Sequence, residues 1–328
     1  MSVEAPTVHE ATLRLELQEL GLWELLHDPD LTDLVVNPDG RLHTFGFRGV
    51  AAHPEPLPAA RLRSCIATLA GMHRRVLDET HPILEVSLPF LRVRATVIVP
   101  PVTAAPMVAL RIPPRRLLTL DDLVERRSLD LPARRILEEA VLRGDTVLVA
   151  GAVSTGKTVL ASALLTFLVA ARPEERLVVL EEGARELQVP EGSDVTPLLT
   201  PTIEELPMGD LLRVSLRLLP DRIVVGELRG AETLAFLKAS VSGHPGLATV
   251  HATSATDAIA RLTDLLEEAG APASASRVAR SVRLIVHMRR TRAHREVAEI
   301  LRLTPPDREG RFETETVYRT SPASPGTD

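Results

Sequence analysis

Eight residues near the middle of the chain constrain its fold more than any other stretch: Gly151-Ala152-Val153-Ser154-Thr155-Gly156-Lys157-Thr158. They satisfy the pattern G-x-x-x-x-G-K-[ST] at every position. In that pattern the glycines let the backbone wrap until its N–H groups face phosphate oxygens, and the helix that follows adds the positive end of its dipole. Gly151, Ser154, Thr155, Gly156, Lys157, Thr158 and Val159 are therefore the expected nucleotide-binding residues. Lys157 is expected to reach the β- and γ-phosphates of ATP, and the Thr158 hydroxyl to hold Mg²⁺. Composition sharpens this reading: of 38 lysines and arginines only Lys157 and Lys238 are lysines, which leaves 38 − 2 = 36 arginines. Where an arginine-biased chain does use lysine, a compact ammonium is expected to be required.

The flanks agree with the pattern. Asp145 to Ala150 reads as a buried strand and Val159 to Ala170 as a buried helix. Further strands are expected at Arg176–Leu180, Arg222–Val225 and Leu247–His251, with helices from Met208 to Leu219 and from Glu232 between them. Strands alternating with helices predict a parallel sheet with crossovers, and ligands of such sheets gather at the carboxyl ends of the strands. Two strands end there in acids, Ile223-Val224-Val225-Gly226-Glu227 and Val178-Val179-Leu180-Glu181-Glu182. Phosphoryl transfer needs an acid to handle Mg²⁺ or the attacking water, which makes Glu227 a candidate together with Glu181 or Glu182. Gly226 stands where many ATPases place a Mg²⁺-binding aspartate. His251, just past a buried strand, is either a γ-phosphate contact or a structural histidine.

The first half has a different pattern. Residues 11–27 read as a helix, Asn37-Pro38-Asp39-Gly40 as a hairpin turn between apolar runs, Ala59 to Leu77 as a second helix, and 83–112 as strand-like segments. Residues 1–112 are thus expected to form a smaller mixed α/β domain. Consecutive prolines continue neither a helix nor a central strand, so 113–122 reads as a linker, 123–305 as the nucleotide-binding domain and 306–328 as a partly disordered tail. The single cysteine, Cys65, excludes an intramolecular disulfide and a cysteine-rich zinc site, and its neighbours Leu62, Ile66 and Leu69 suggest a buried thiol. The first ten residues lack the apolar core of a signal peptide, and Val159–Ala171 is too short to span a bilayer, so a cytoplasmic location is expected.

From Pro220 to Gly230, the run Pro-Asp-Arg-Ile-Val-Val-Gly-Glu-Leu-Arg-Gly resembles the Walker B strand of the secretion ("traffic") ATPases of type II and type IV systems. Gly243-His244-Pro245-Gly246 with Thr249-Val250-His251-Ala252 is similar to their histidine box, and the acids at 181–182 sit where the family has its aspartate box. Upstream, Val35 to Gly40, Ser87 to Phe90, Pro100-Pro101-Val102 and the segment around Arg111 resemble its N-terminal domain. The resemblance covers about residues 20–305 and points to the conjugal-transfer TrbB-like group. The cysteine-rich zinc insert of many type II motors is absent, which favours the conjugation or type IV side.

What the resemblance implies is an α/β chain with a RecA-like P-loop C-terminal domain and a smaller, PAS-like N-terminal domain. It further implies a homo-hexameric ring that hydrolyses ATP with Mg²⁺ and works on inner-membrane components of a secretion or conjugation channel. Carried over residue by residue, the catalytic set is Lys157, Glu182, Glu227, His251, Arg94 and Arg111, with Thr158 and Glu227 on the metal. A guanidinium always stays charged and can bridge two phosphate oxygens, which is the physical case for Arg94 and Arg111. Arg229 either binds nucleotide or pairs near Glu227. Glu182 departs from the usual aspartate, and Gly151-Ala152-Val153 is poorer in glycine than is typical.

From Ala271 to Arg295 there are seven arginines (277, 280, 283, 289, 290, 292 and 295) and no acid. Leu284–Met288 and Val297–Leu301 read as strands joined by this turn. A solvated or subunit-contacting surface and a peripheral contact with a membrane both stay open. No aromatic interleaves the arginines, and the net charge is −6, so direct sequence-specific nucleic-acid binding is not expected. A type IV pilus or Tad-type assembly or retraction motor remains an alternative client. A nucleotide-binding regulatory subunit that does not cycle is the alternative of another class.

Overall fold

Alternation of apolar and polar residues builds the first of two sheets. The computed structural model describes residues 7–46, 49–112, 117–183, 185–190, 192–200, 206–291 and 294–320. It divides into two units, Met1–Arg116 and Leu117–Asp328. In the first, the strands β1 (Leu31–Val36), β2 (Arg41–Gly46), β3 (Gly49–Pro56), β4 (Ile83–Leu88), β5 (Val93–Ile98) and β6 (Met107–Arg111) pair antiparallel in the order β3-β2-β1-β6-β5-β4. In β5 the residues Val93, Ala95 and Val97 are buried, and in β6 Val108 and Leu110 are. These side chains share a core with Leu13, Leu17, Leu62, Cys65, Ile66 and Leu69 of the helices Val8–Glu19 and Ala59–Met72. Cys65 is the buried thiol that its neighbours suggested, and burial pushes its pKa up to about 12.

Local chemistry sets the ends of these elements. The Thr7 and Glu10 side chains form a reciprocal capping box, so the first helix starts before residue 11. Gly21 at φ 67° then breaks the expected 11–27 helix, leaving a single further turn at Leu22–Leu25. At the predicted hairpin, Gly40 has φ 82° and donates to the Asn37 carbonyl at 2.8 Å.

The second unit carries the strands β7 (Val147–Gly151), β8 (Leu177–Glu182), β9 (Val195–Thr200), β10 (Arg222–Leu228), β11 (Gly246–Val250), β12 (Leu284–Arg290), β13 (Arg295–Leu303) and β14 (Thr314–Arg319). Their order is β14-β13-β12-β7-β11-β10-β8-β9. The six from β12 to β9 are parallel, and β13 and β14 close one edge antiparallel. Every residue of β7 and β11 is buried, as expected for strands covered on both faces. The α/β architecture expected from the sequence, RecA-like with a smaller mixed domain, is the one present.

The boundaries differ in detail. Pro113–Arg116 of the expected linker lie outside the described residues. Its second half starts a helix, Leu120–Glu125, capped reciprocally by Thr119 and Asp122. At the other end β14 continues the sheet to Arg319, past the expected limit of 305; residues 321–328 of the expected tail lie outside the described residues. Tyr318 fastens this strand by donating to Asp130 Oδ2 at 2.8 Å, the residue that also caps the helix Leu131–Arg143. Lys238 is exposed in the last turn of the helix Glu232–Val241, where a cation complements the helix dipole.

Candidate active site

The phosphate loop is built by steric exclusion. A Cβ on Gly151 would stand 2.6 Å from both the Met288 carbonyl oxygen and Thr155 Oγ1, because β12 runs directly beside β7 at that point. Gly156 turns the chain at φ 96°, with Ser154 also left-handed at φ 60°, and the helix Lys157–Ala171 begins immediately after. The Thr155 hydroxyl donates to the Ala152 carbonyl at 2.8 Å, closing the loop on itself. Lys157 is only 7% exposed; its Nζ donates to the carbonyls of Gly151 and Ala152, both at 3.0 Å, and lies 3.2 Å from His251 Nδ1. Thr158 and Val159 are half-buried in the first helical turn.

Parallel topology brings the remaining groups to the same edge. His251 follows β11, Glu227 lies near the end of β10 and Glu182 ends β8. An ammonium only donates, so His251 Nδ1 accepts from Lys157 and the neutral ring carries its proton on Nε2. That atom is 2.5 Å from Glu227 Oε1, close in distance but not aligned as a hydrogen bond, and with a neutral ring the contact is not an ion pair. Burial, with Lys157 and Arg229 nearby, lowers the histidine pKa against the opposing pull of Glu227, which keeps the ring neutral at pH 7.

Arg229 continues the series. Its Nε donates to Glu227 Oε2 at 2.7 Å, and its Nη1 to Glu182 Oε2 at 3.3 Å. Glu181 turns the other way: it is buried, and its Oε1 accepts the backbone N–H groups of Glu186 and Leu187, both at 2.7 Å. Of the two acids ending β8, Glu182 therefore faces the site. Lys157, His251, Glu227, Arg229 and Glu182 form one connected series above the phosphate loop. Arg94 and Arg111 belong to the other unit, where they stand opposite one another across β5 and β6, with Asp33 of β1 opposite Arg111. Pairing of Arg229 near Glu227 was one of the two roles that the sequence offered; its second contact, with Glu182, was not foreseen, nor was Glu232, which anchors Arg229. The signal was the spacing Arg229-x-x-Glu232, which lets that carboxylate reach back to the Arg229 backbone N–H.

A family model described as type II/IV secretion system protein matches residues 57–316. The chain belongs to that family. A probable conjugal transfer protein TrbB of Sinorhizobium fredii is 34% identical over 298 residues, covering 90% of both chains. The type IV secretion system protein PtlH of Bordetella pertussis is 33% identical over 290 residues, 79% of this chain and 83% of its own. In fold, the ATPase DotB of Yersinia pseudotuberculosis superposes with a TM-score of 0.64 at 18% identity, over 92% of this chain and 82% of that one. The type II/IV secretion family that the motifs resemble is thus the family that the match shows.

The residues fit a nucleotide with Mg²⁺. A backbone cradle admits no Cβ at Gly151, an ammonium lies over it, and Thr158 and Glu227 offer the hard oxygen donors that Mg²⁺ prefers. Mg²⁺ in such sites takes one or two carboxylates plus substrate phosphates and water, so a protein cage is not required. Among the described residues no group of three or more His, Cys, Asp or Glu is placed to hold a metal ion by itself, and no described helix is long and apolar enough to cross a membrane.

Proposed function

We propose that this protein is a Mg²⁺-dependent ATPase, working as a homo-hexameric motor at the cytoplasmic face of the membrane. It powers a conjugative or type IV secretion channel by acting on the channel's inner-membrane components. The observation that carries this reading is the series Lys157–His251–Glu227–Arg229–Glu182 over the phosphate loop. The names of the relatives at 34% and 33% identity support the choice of client.

Each residue then has a role. Lys157 exchanges its loop carbonyls for β- and γ-phosphate oxygens, and the loop N–H groups hold the remaining ones. Thr158 and Glu227 hold Mg²⁺, which when bound neutralises charge on the phosphates. Glu227, with Glu182, orients the attacking water. Neutral His251 carries an N–H that can donate to the γ-phosphate, so ATP and ADP are distinguished beside Glu227. Arg94 and Arg111, from the same or a neighbouring subunit, add fixed positive charge to the phosphates.

Purified protein is expected to release phosphate from Mg²⁺-ATP, and Lys157→Ala to lose at least about 100-fold of that rate. Mass measured in solution with an ATP analogue is expected to be that of six chains. Turnover no higher than the Lys157→Ala control in such a hexamer refutes the motor. Tight ATP binding without turnover identifies a regulatory subunit instead.

A further inference from the structure

Glu227 and Glu182 come near one another because the strands that carry them are neighbours. Strands β10 and β8 are parallel neighbours, and Val225 is paired with Leu180. Each acid lies two residues beyond that last pair, near the carboxyl end of its strand. Adjacent strands are about 4.8 Å apart, so two carboxylates at neighbouring strand ends repel and would splay without a cation between them.

We propose that Arg229 is a positioning residue for hydrolysis, bridging Glu227 and Glu182 and holding both carboxylates in one arrangement toward the phosphate loop. The proposal rests on the ATPase reading. A guanidinium is a planar fork with separate donors on different edges, and here Nε serves one acid while Nη1 serves the other. The residue is itself held. Glu232, only 8% exposed, accepts the backbone N–H groups of Arg229 at 2.5 Å and Gly230 at 2.8 Å. The Arg229 side chain is 63% exposed, so its replacement excavates no core. The other titratable groups around the bridge are His251, neutral beside Glu227, and, after β8, Glu186. A lysine in this position keeps the charge but cannot reach two acids from two edges.

The test is a double-mutant cycle in the full-length protein. Arg229→Gln is expected to lower kcat about 10-fold, while KM and the Kd for a non-hydrolysable Mg²⁺-ATP analogue change less than about 2-fold. Arg229→Lys is expected to recover part of kcat. In a Glu182→Gln background, adding Arg229→Gln is expected to cost less than about 2-fold more, because the bridge is already broken. If the two losses multiply in full, or if Kd weakens in proportion to kcat, Arg229 does not act through Glu182 and the bridge is refuted. Thermal unfolding of each variant separates this from loss of fold, and the Arg229→Lys pair repeats the cycle if the Gln variant unfolds. A wild-type protein without turnover refutes the ATPase reading and the bridge with it. An active wild type with independent losses refutes the bridge alone.

Discussion

Replacing Glu181 by Gln is expected to stabilise the protein at alkaline pH and not at acidic pH. The carboxyl is 5% exposed, and burial pushes its pKa from 4.5 up to about 7 even though two backbone N–H groups donate to it. A shift of about 2.5 units corresponds to about 3 kcal/mol at about 1.4 kcal/mol per unit. The sign follows from proton counts. Between 4.5 and about 7 the native state holds the proton that the unfolded chain has released, so stability falls as pH rises through this window. Above it the penalty is complete. Glutamine keeps an oxygen for the Glu186 and Leu187 N–H groups and carries no charge, so the variant escapes the loss. Urea unfolding at pH 4.5, 6 and 8.5 measures this by far-ultraviolet circular dichroism; the single tryptophan, Trp23, lies in the other unit and is a poor reporter. The stability difference between variant and wild type is expected to grow by up to about 3 kcal/mol from the lowest to the highest pH. A difference that stays flat with pH, or that reverses sign, refutes a buried carboxylate at this position.

Two further perturbations probe the loop and the edge of the sheet. Gly151→Ala places a methyl 2.6 Å from both the Met288 carbonyl and Thr155 Oγ1, so the strand-to-loop junction must move. An overpacking cost of about 1–3 kcal/mol and at least about 10-fold weaker binding of an ATP analogue are expected, read by melting and by titration. Tyr318→Phe removes the hydrogen bond to Asp130 and is expected to cost about 1 kcal/mol and to speed proteolysis of the last strand. In the wild type, burial foremost raises the phenol pKa to about 12, which ultraviolet titration checks directly.

The parts of the fold that are legible in the chain are those where every position is constrained. The phosphate loop demands a residue type at each of its special conformations. Strands β7, β8, β10 and β11 are covered on both faces and so appear as unbroken apolar runs. Edge elements give no such run. β9 contains Pro197, which an edge strand tolerates, and β14 (Thr-Glu-Thr-Val-Tyr-Arg) is largely exposed, so neither stands out from a loop. The helix Leu120–Glu125 is short and sits behind the prolines, and only the Thr119–Asp122 spacing announces it. For the acids ending β8, the pleat guarantees that Glu181 and Glu182 point to opposite faces, but which face carries the phosphate loop is a property of the assembled sheet.

The arginine excess divides in the same way. Lys157 sits where two loop carbonyls and a histidine nitrogen surround one small cation, a geometry a planar guanidinium does not match. Arg229 sits where two carboxylates must be spanned, which an ammonium does not do. The run of arginines between 277 and 295 is not wholly unpartnered once the strands are placed side by side. In the sheet, Arg289 of this run pairs with Glu296 of β13, one residue beyond the window that appeared to contain no acid; outside the run, Arg302 pairs with Glu315 and Arg319 with Glu299. β13 runs antiparallel to β12 and to β14, so each strand brings its acids alongside basic residues distant in sequence. The charge of this surface therefore belongs in part to strand pairs, and a membrane or nucleic-acid contact argued from the linear run alone counts Arg289 as a free cation although Glu296 already pairs with it.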